Sequence, residues 1–256
     1  MDQYGGASYQ NDVATELAAQ HDVFFYGPGH DSYDATESID DILAKAQWIP
    51  DIVCVGHAWL ADSPSKRITP HGEVQLRELP IPKVILLNKE YTRLKDKLAY
   101  IREQKFGLVL THHHATDEYE RATGSKTVFW AFAADGKKFF PRDLTRDIDL
   151  FFSGGLQNRS HPDAQNDLRV LVQGKLYFSI GELKLLRRRT FGDRNIFWNA
   201  FSGVKWITLL DRALGRYQRI PDDEYQMMFS RSKVCFCTLS PLDLVGPRYF
   251  EAMASE

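Results

Sequence analysis

Apolar and polar positions along the chain change period several times, and each change marks an element. Apolar residues at helical spacing run from Val13 to Gln20, from Ile39 to Ala46 and from Tyr91 to Gln104, the last with a heavily charged outer face. Between and after them lie short apolar runs: Val23 to Tyr26, Ile52 to Gly56, Val84 to Asn88, Leu108 to Thr111 and Val128 to Ala131. Runs this short, bounded by turn residues, predict strands buried on both faces. Strands alternating with helices predict a parallel sheet covered by helices, which is an α/β domain.

From Asp149 the same pattern starts again. Leu150 to Ser153 predicts a strand, Tyr225 to Ser230 a short helix, and Val234 to Leu239 a last strand; Arg169 to Gln173 and Val204 to Leu210 carry a weaker signal. Ser240 to Pro247 reads as a loop, with Pro247 at the favoured first position of a closing helix. Two domains of like construction are expected, residues 1–140 and 141–256, linked through Ala133 to Pro141. No internal repeat or low-complexity segment interrupts them.

Composition narrows the function. The chain has 256 residues, 43% hydrophobic and 26% charged, the profile of an ordinary globular protein. A net charge of −2 argues against a general binder of nucleic acid or membrane surface. No apolar run approaches the roughly 20 residues that span a bilayer. The opening residues, Met1 to Gly6, lack the basic segment and apolar core of a secretory signal. Three cysteines make an odd count and no disulfide framework, so Cys54, Cys235 and Cys237 are read as packing residues in a reducing, cytoplasmic setting.

Several residues carry candidate chemistry. The last strand, loop and helix start place free backbone N–H groups where a phosphate can bind. Asp243 lies in that loop, and Glu251 lies eight positions on, in the expected first turn. A carboxylate there can accept hydrogen bonds from sugar or ribose hydroxyls; equally, a helix start attracts acids through its dipole, an effect of about 0.3–1 kcal/mol. Gly154 and Gly155 follow a predicted strand, where glycine lets the backbone approach phosphate, and Arg159 would clamp it bidentately. The other reading is a tight turn and a solvated arginine. Lys233 is either within reach of the same phosphates or solvated.

His112, His113 and His114 cannot converge on one metal ion from consecutive positions, and no metal is expected. His112 ends a predicted strand, where it contacts either a bound phosphate or acceptor, or only a polar loop. His57 to Trp59 and Asn88 to Glu90 occupy equivalent strand ends, and Trp59 is either a sugar platform or a core anchor. Gly5 and Gly6 form either a ligand loop or a plain turn. Lys184 to Arg189 is a basic run, either solvated or a contact for an acidic partner. No Gly-x-Ser-x-Gly elbow, Walker loop or dinucleotide fingerprint is present.

Asp243 and Glu251 together resemble the E-x7-E arrangement of retaining glycosyltransferases with the GT-B fold, with Asp in place of the first Glu. Arg248-Tyr-Phe-Glu251-Ala-Met-Ala-Ser is similar to the R-x-F-E-x-x-A-S-G signature of the CgeB-like group, except that Glu256 stands at the final glycine. Ser232-Lys233-Val234 resembles that group's S-K-I step. Asp149 to Gly155, with Arg159 after it, resembles its D-x-x-F-x-G-S pattern, and Ala133 to Pro141 its interdomain linker. The resemblance implies two Rossmann-like domains, the second incomplete, and transfer of a sugar from a nucleotide-diphosphate donor to a hydroxyl acceptor. It assigns ribose to Glu251 and the donor sugar to Asp243. Gly154, Gly155, Arg159, Arg248 and Lys233 would line the donor, with His112 near the reacting groups. The nucleotide sugar is then the substrate, and no separate cofactor is implied. A non-catalytic relative and a sugar-nucleotide epimerase are the alternatives.

Overall fold

A computed structural model describes residues 9–27, 29–34, 36–56, 75–87, 90, 93–155, 168–169, 171–172, 188–191, 194–201, 213, 220–239 and 244–256. The chain divides into two compact units, Met1–Phe132 with Leu239–Val245, and Ala133–Thr238 with Gly246–Glu256. The protein is α/β, and among the described residues no helix is long and apolar enough to cross a membrane.

The first unit contains α1 (Tyr9–Gln20), α2 (Ile39–Ala46), β1 (Val53–Val55), β2 (Lys83–Leu87), α3 (Leu94–Glu103), β3 (Leu108–Thr111), α4 (Thr116–Thr123) and β4 (Lys126–Phe129). Its four described strands form a parallel sheet in the order β1-β2-β3-β4. All five residues of β2 are buried, which accounts for their unbroken apolar run from Val84. Ile85, Leu87 and Val109 join Tyr100 and Ile101 of α3 in one core. Strand order follows chain order without reversal among the described residues. Right-handed crossovers therefore carry α3 and α4 to the same face, where they pack together.

Local chemistry explains the helix bounds. At α2, Ser38 and Asp41 make a reciprocal capping box, and Gln47 closes the helix in the left-handed region at φ 60°. The predicted span Ile39 to Ala46 is the observed one because every signal lies within that segment. α4 has no counterpart in the apolar pattern. Of its eight residues only Tyr119 and Thr123 are buried, which leaves too little periodicity to read. Gly124, at φ 72°, ends it.

Val23 to Tyr26 departs from the sequence expectation, since it joins no strand ladder among the described residues. Its apolar run serves packing: Phe24 and Tyr26 lie against the core, and Phe25 stacks on His30 with centroids 5.6 Å apart. The Tyr26 hydroxyl donates to Glu37, 2.6 Å away, tying this segment to the approach to α2.

The second unit holds β5 (Leu150–Gly155), β6 (Arg188–Phe191), β7 (Arg194–Phe201), α5 (Asp222–Arg231) and α6 (Pro247–Ala254). Its described strands run β5-β7-β6, with β5 and β7 parallel and β6 antiparallel. They do not form the all-parallel sheet expected of a second Rossmann-like domain. The ladder sets Leu150, Phe152 and Gly154 beside Ile196, Trp198 and Ala200 on one face. Phe151 and Phe197 point to the other face, against Met228 and Phe229 of α5. Burial on both sides explains why Leu150 to Phe152 is apolar without alternation.

Among the described residues, the predicted last strand and the residues leading into it make only isolated pairings. Ser232 bridges Ile148 and Cys235 bridges Phe151, both parallel. Phe151 donates to the Val234 carbonyl at 2.9 Å and accepts from the Phe236 amide at 2.8 Å, so both its backbone groups face this segment. β5 is therefore bonded along both edges.

Lys83 makes a stability prediction. Only 7% exposed, it donates from Nζ to the carbonyls of Leu76 at 2.7 Å and Leu79 at 3.2 Å. Those bonds hold the turn before β2. Lys83→Met should fit the apolar site but leave buried carbonyls without donors, lowering stability by about 1–3 kcal/mol. Urea unfolding checks this; a midpoint equal to wild type would rule it out.

Candidate functional site

Three residues from two elements of the second unit converge at the carboxyl end of β5. The strand runs through Gly154 and Gly155, so these glycines sit inside the ladder opposite Ala200 and Phe201 and not in a turn after it. Arg248, the second residue of α6, lays its guanidinium along the face shared by Phe152 and Gly154. Its Cζ lies 5.4 Å from the Phe152 ring centroid, a cation–π contact. A Cβ on Gly154 would fall 3.0 Å from Cζ and 3.1 Å from Nη1, and closer still to Nη2. The guanidinium thus occupies the space that a Cβ at position 154 would take. The Nε of Arg248 is buried without a hydrogen-bond partner.

Arg169 brings a second guanidinium to the same end, where its Nη1 donates to the Gly155 carbonyl at 2.9 Å. Sequence reasoning gave no weight to Arg169, because its surroundings carry little periodicity and nothing in the chain order links it to Gly155. Glu251 lies one turn beyond Arg248 on α6. It is the fifth helical residue, and the first turn holds no acid. That corrects the expected placement and removes the helix dipole as the reason for an acid here. Instead its Oε2 accepts from the Tyr225 hydroxyl of α5 at 2.8 Å. Burial, and then the Glu251 charge, push the Tyr225 hydroxyl well above its ordinary range, so it remains a donor.

The opposite end of β5 is held by acid–base pairs. Arg231 grips Asp147 bidentately, at 2.8 and 2.5 Å. Lys233 donates to Asp149 at 2.7 Å, and the other Asp149 oxygen accepts from the Asn195 amide at 2.6 Å. Lys233 is thus engaged five residues before Gly154, roughly 16 Å away at about 3.3 Å per residue. The structure does not bring it to the glycines. Asp243, Arg159, Gly5, Gly6, His57, Trp59, Asn88 and Lys89 lie outside the described residues.

In the first unit, His112 follows β3 and is buried. Its Nδ1 lies 2.7 Å from the Trp130 carbonyl, which can only accept, so Nδ1 carries the proton. The ring stacks on Phe132 with centroids 3.6 Å apart. Glu90, only 1% exposed, accepts through Oε1 from the Thr111 hydroxyl at 2.7 Å and the His112 amide at 3.3 Å; its Oε2 is buried without a hydrogen bond. The Thr111 hydroxyl accepts in turn from the His113 amide at 3.0 Å. One carboxylate thereby shapes the backbone that presents His112, a role invisible in the sequence because the partners are 21 positions apart. His113 is half-buried and His114 exposed, so the three rings do not converge. Among the described residues no group of three or more His, Cys, Asp or Glu could hold a metal ion.

No protein-family model matches the chain, and no curated protein or solved structure is significantly similar to it.

Burial lowers the pKa of His112 below 6.5, against upward pulls from the Trp130 carbonyl and the Glu90 charge. The unfolded chain then binds a proton that the folded chain refuses, so this group's contribution to stability is present above about pH 6.5 and is lost as pH falls through the folded value. Glu90→Gln removes one upward pull and should move the His112 titration to still lower pH. Imidazole chemical shifts measured against pH test this, and a midpoint that stayed put or rose would refute the Glu90 contact.

Proposed function

We propose that the protein is a glycosyltransferase of GT-B type, which moves a sugar from a nucleotide-diphosphate donor to a hydroxyl acceptor. The observation that carries this reading is the guanidinium of Arg248 standing over the bare Cα of Gly154, with Glu251 one turn further along α6. Two stretches of chain more than ninety residues apart, each resembling part of the CgeB-like pattern, meet in one place. A diphosphate needs cations and an open backbone, and the carboxyl end of β5 offers Arg248, Arg169 and two glycines. A ribose needs an acceptor for its hydroxyls, and Glu251 offers one.

In the reaction, the bond from the sugar's anomeric carbon to the diphosphate oxygen breaks as a bond to the acceptor oxygen forms. The nucleoside diphosphate leaves, and the acceptor hydroxyl gives up its proton. Arg248 and Arg169 would stabilise the charge that grows on the leaving diphosphate. Asp243 is assigned to the donor sugar and His112 to the reacting groups on the family resemblance. The three free cysteines suit a reducing, cytoplasmic compartment.

Calorimetry of the purified chain with UDP, GDP, ADP and TDP tests the reading. One of them should bind with micromolar affinity. Glu251→Ala removes hydrogen bonds to a charged acceptor, worth about 1.5–3 kcal/mol each, so affinity should fall at least roughly tenfold with the circular dichroism spectrum unchanged. A folded wild-type chain that binds none of the four would point to a non-catalytic relative.

A further inference from the structure

Tyr225 is held more firmly than a surface hydroxyl requires. Its ring stands edge-on to Phe139, Phe151 and Phe229, with centroids 6.3, 6.2 and 5.1 Å away and interplanar angles of 89°, 61° and 89°. Phe151 belongs to β5, Phe229 to α5 itself, and Phe139 to the stretch of the same unit that precedes β5. A ring boxed by three others cannot swing, so its hydroxyl has one position. From there it reaches across from α5 to Glu251 on α6.

A phenylalanine would complete this aromatic cluster without burying a polar atom, so the hydroxyl serves something other than packing. It donates to the Glu251 carboxylate at 2.8 Å and also lies beside the Arg248 guanidinium. An ionised carboxylate has about four acceptor positions, and the Tyr225 bond occupies one of them. A vicinal diol takes two more, provided the carboxylate plane is already turned toward it. A glutamate without a fixed donor would lose rotamer freedom on binding; Glu251 is half-buried, and the Tyr225 bond removes part of that loss beforehand.

We infer that Tyr225 is a positioning residue that sets the Glu251 carboxylate to receive the 2′,3′-diol of a nucleotide ribose. This rests on the donor-nucleotide reading above. It predicts an effect confined to the ribose hydroxyls, which a merely structural tyrosine would not produce.

The test compares UDP, GDP and ADP with their 2′-deoxy counterparts by calorimetry, on the full chain and on Tyr225→Phe. Wild type should prefer the ribonucleotide of its chosen base by roughly tenfold, the effect of one charge-assisted hydrogen bond. Tyr225→Phe should weaken ribonucleotide binding about three- to tenfold and the 2′-deoxynucleotide, which keeps only the 3′-hydroxyl, by clearly less. Glu251→Gln should lower the same preference, and adding Tyr225→Phe to it should cost little more, because the two side chains act as one unit. If Tyr225→Phe keeps the wild-type preference, or weakens both nucleotides equally, the positioning role is wrong while the nucleotide site stands. If wild type binds none of the nucleotides, the donor reading fails and this inference falls with it.

Discussion

Asp149 is the constraint on which the second unit depends. One of its oxygens accepts from the Asn195 amide and the other from Lys233, while its own amide donates to the Asn195 carbonyl at 2.8 Å. These bonds join the start of β5 to β7 on one side and to the 232–236 segment on the other. Asp147, gripped by Arg231, braces the residue pair immediately before. Once the residue leading into β5 is fixed between two neighbours, the pleat fixes the rest. Gly154 must then fall opposite Ala200, on the same face as Phe152, and that is where Arg248 lies.

The arrangement separates charge along the strand. At the amino end, cations and carboxylates are matched pair by pair. At the carboxyl end, two guanidinium groups stand at backbone and an aromatic face, and no described carboxylate forms an ion pair with Arg248. At an effective dielectric near 20, a phosphate charge about 4 Å from one such cation gains roughly 4 kcal/mol before desolvation is counted. The bare Cα of Gly154 is where the Arg248 guanidinium lies. α6 reaches this position because Pro247 starts it beyond Gly246, and because the Cys237 thiol lies 3.7 Å from the Arg248 carbonyl.

In the first unit a single buried carboxylate has a comparable organising role. Glu90 stands three residues past β2 and bonds the last residue of β3, so it ties two adjacent strand ends together. The loop between β3 and α4 is shaped by that bond. α4 itself lacks a side-chain cap, and its first amides rely on the loop's geometry, including the bond from the Ala115 amide to His113 Nδ1 at 3.0 Å. The His112 ring is held by stacking and by one carbonyl, and it stays neutral because burial disfavours its charge.

Where a signal was local, the amino-acid sequence alone determined the outcome. The bounds of α2, the start of α6 at Pro247, the unbroken apolar runs of β2 and β3, and the alternation of strand and helix all follow from neighbours within a few residues. The same locality misled at Val23 to Tyr26, because an apolar run cannot declare whether its backbone has a ladder to join. Tertiary structure alone decided which distant groups meet. It drew Lys233 to Asp149 and away from the glycines, carried Gly154 and Gly155 inside β5, and set Arg169 and Arg248 at their end. It also placed Glu251 under the Tyr225 hydroxyl and Glu90 under Thr111. Such pairings depend on strand register and helix docking, which bring together side chains 14 to 94 positions apart, and no pattern of neighbouring residues encodes them.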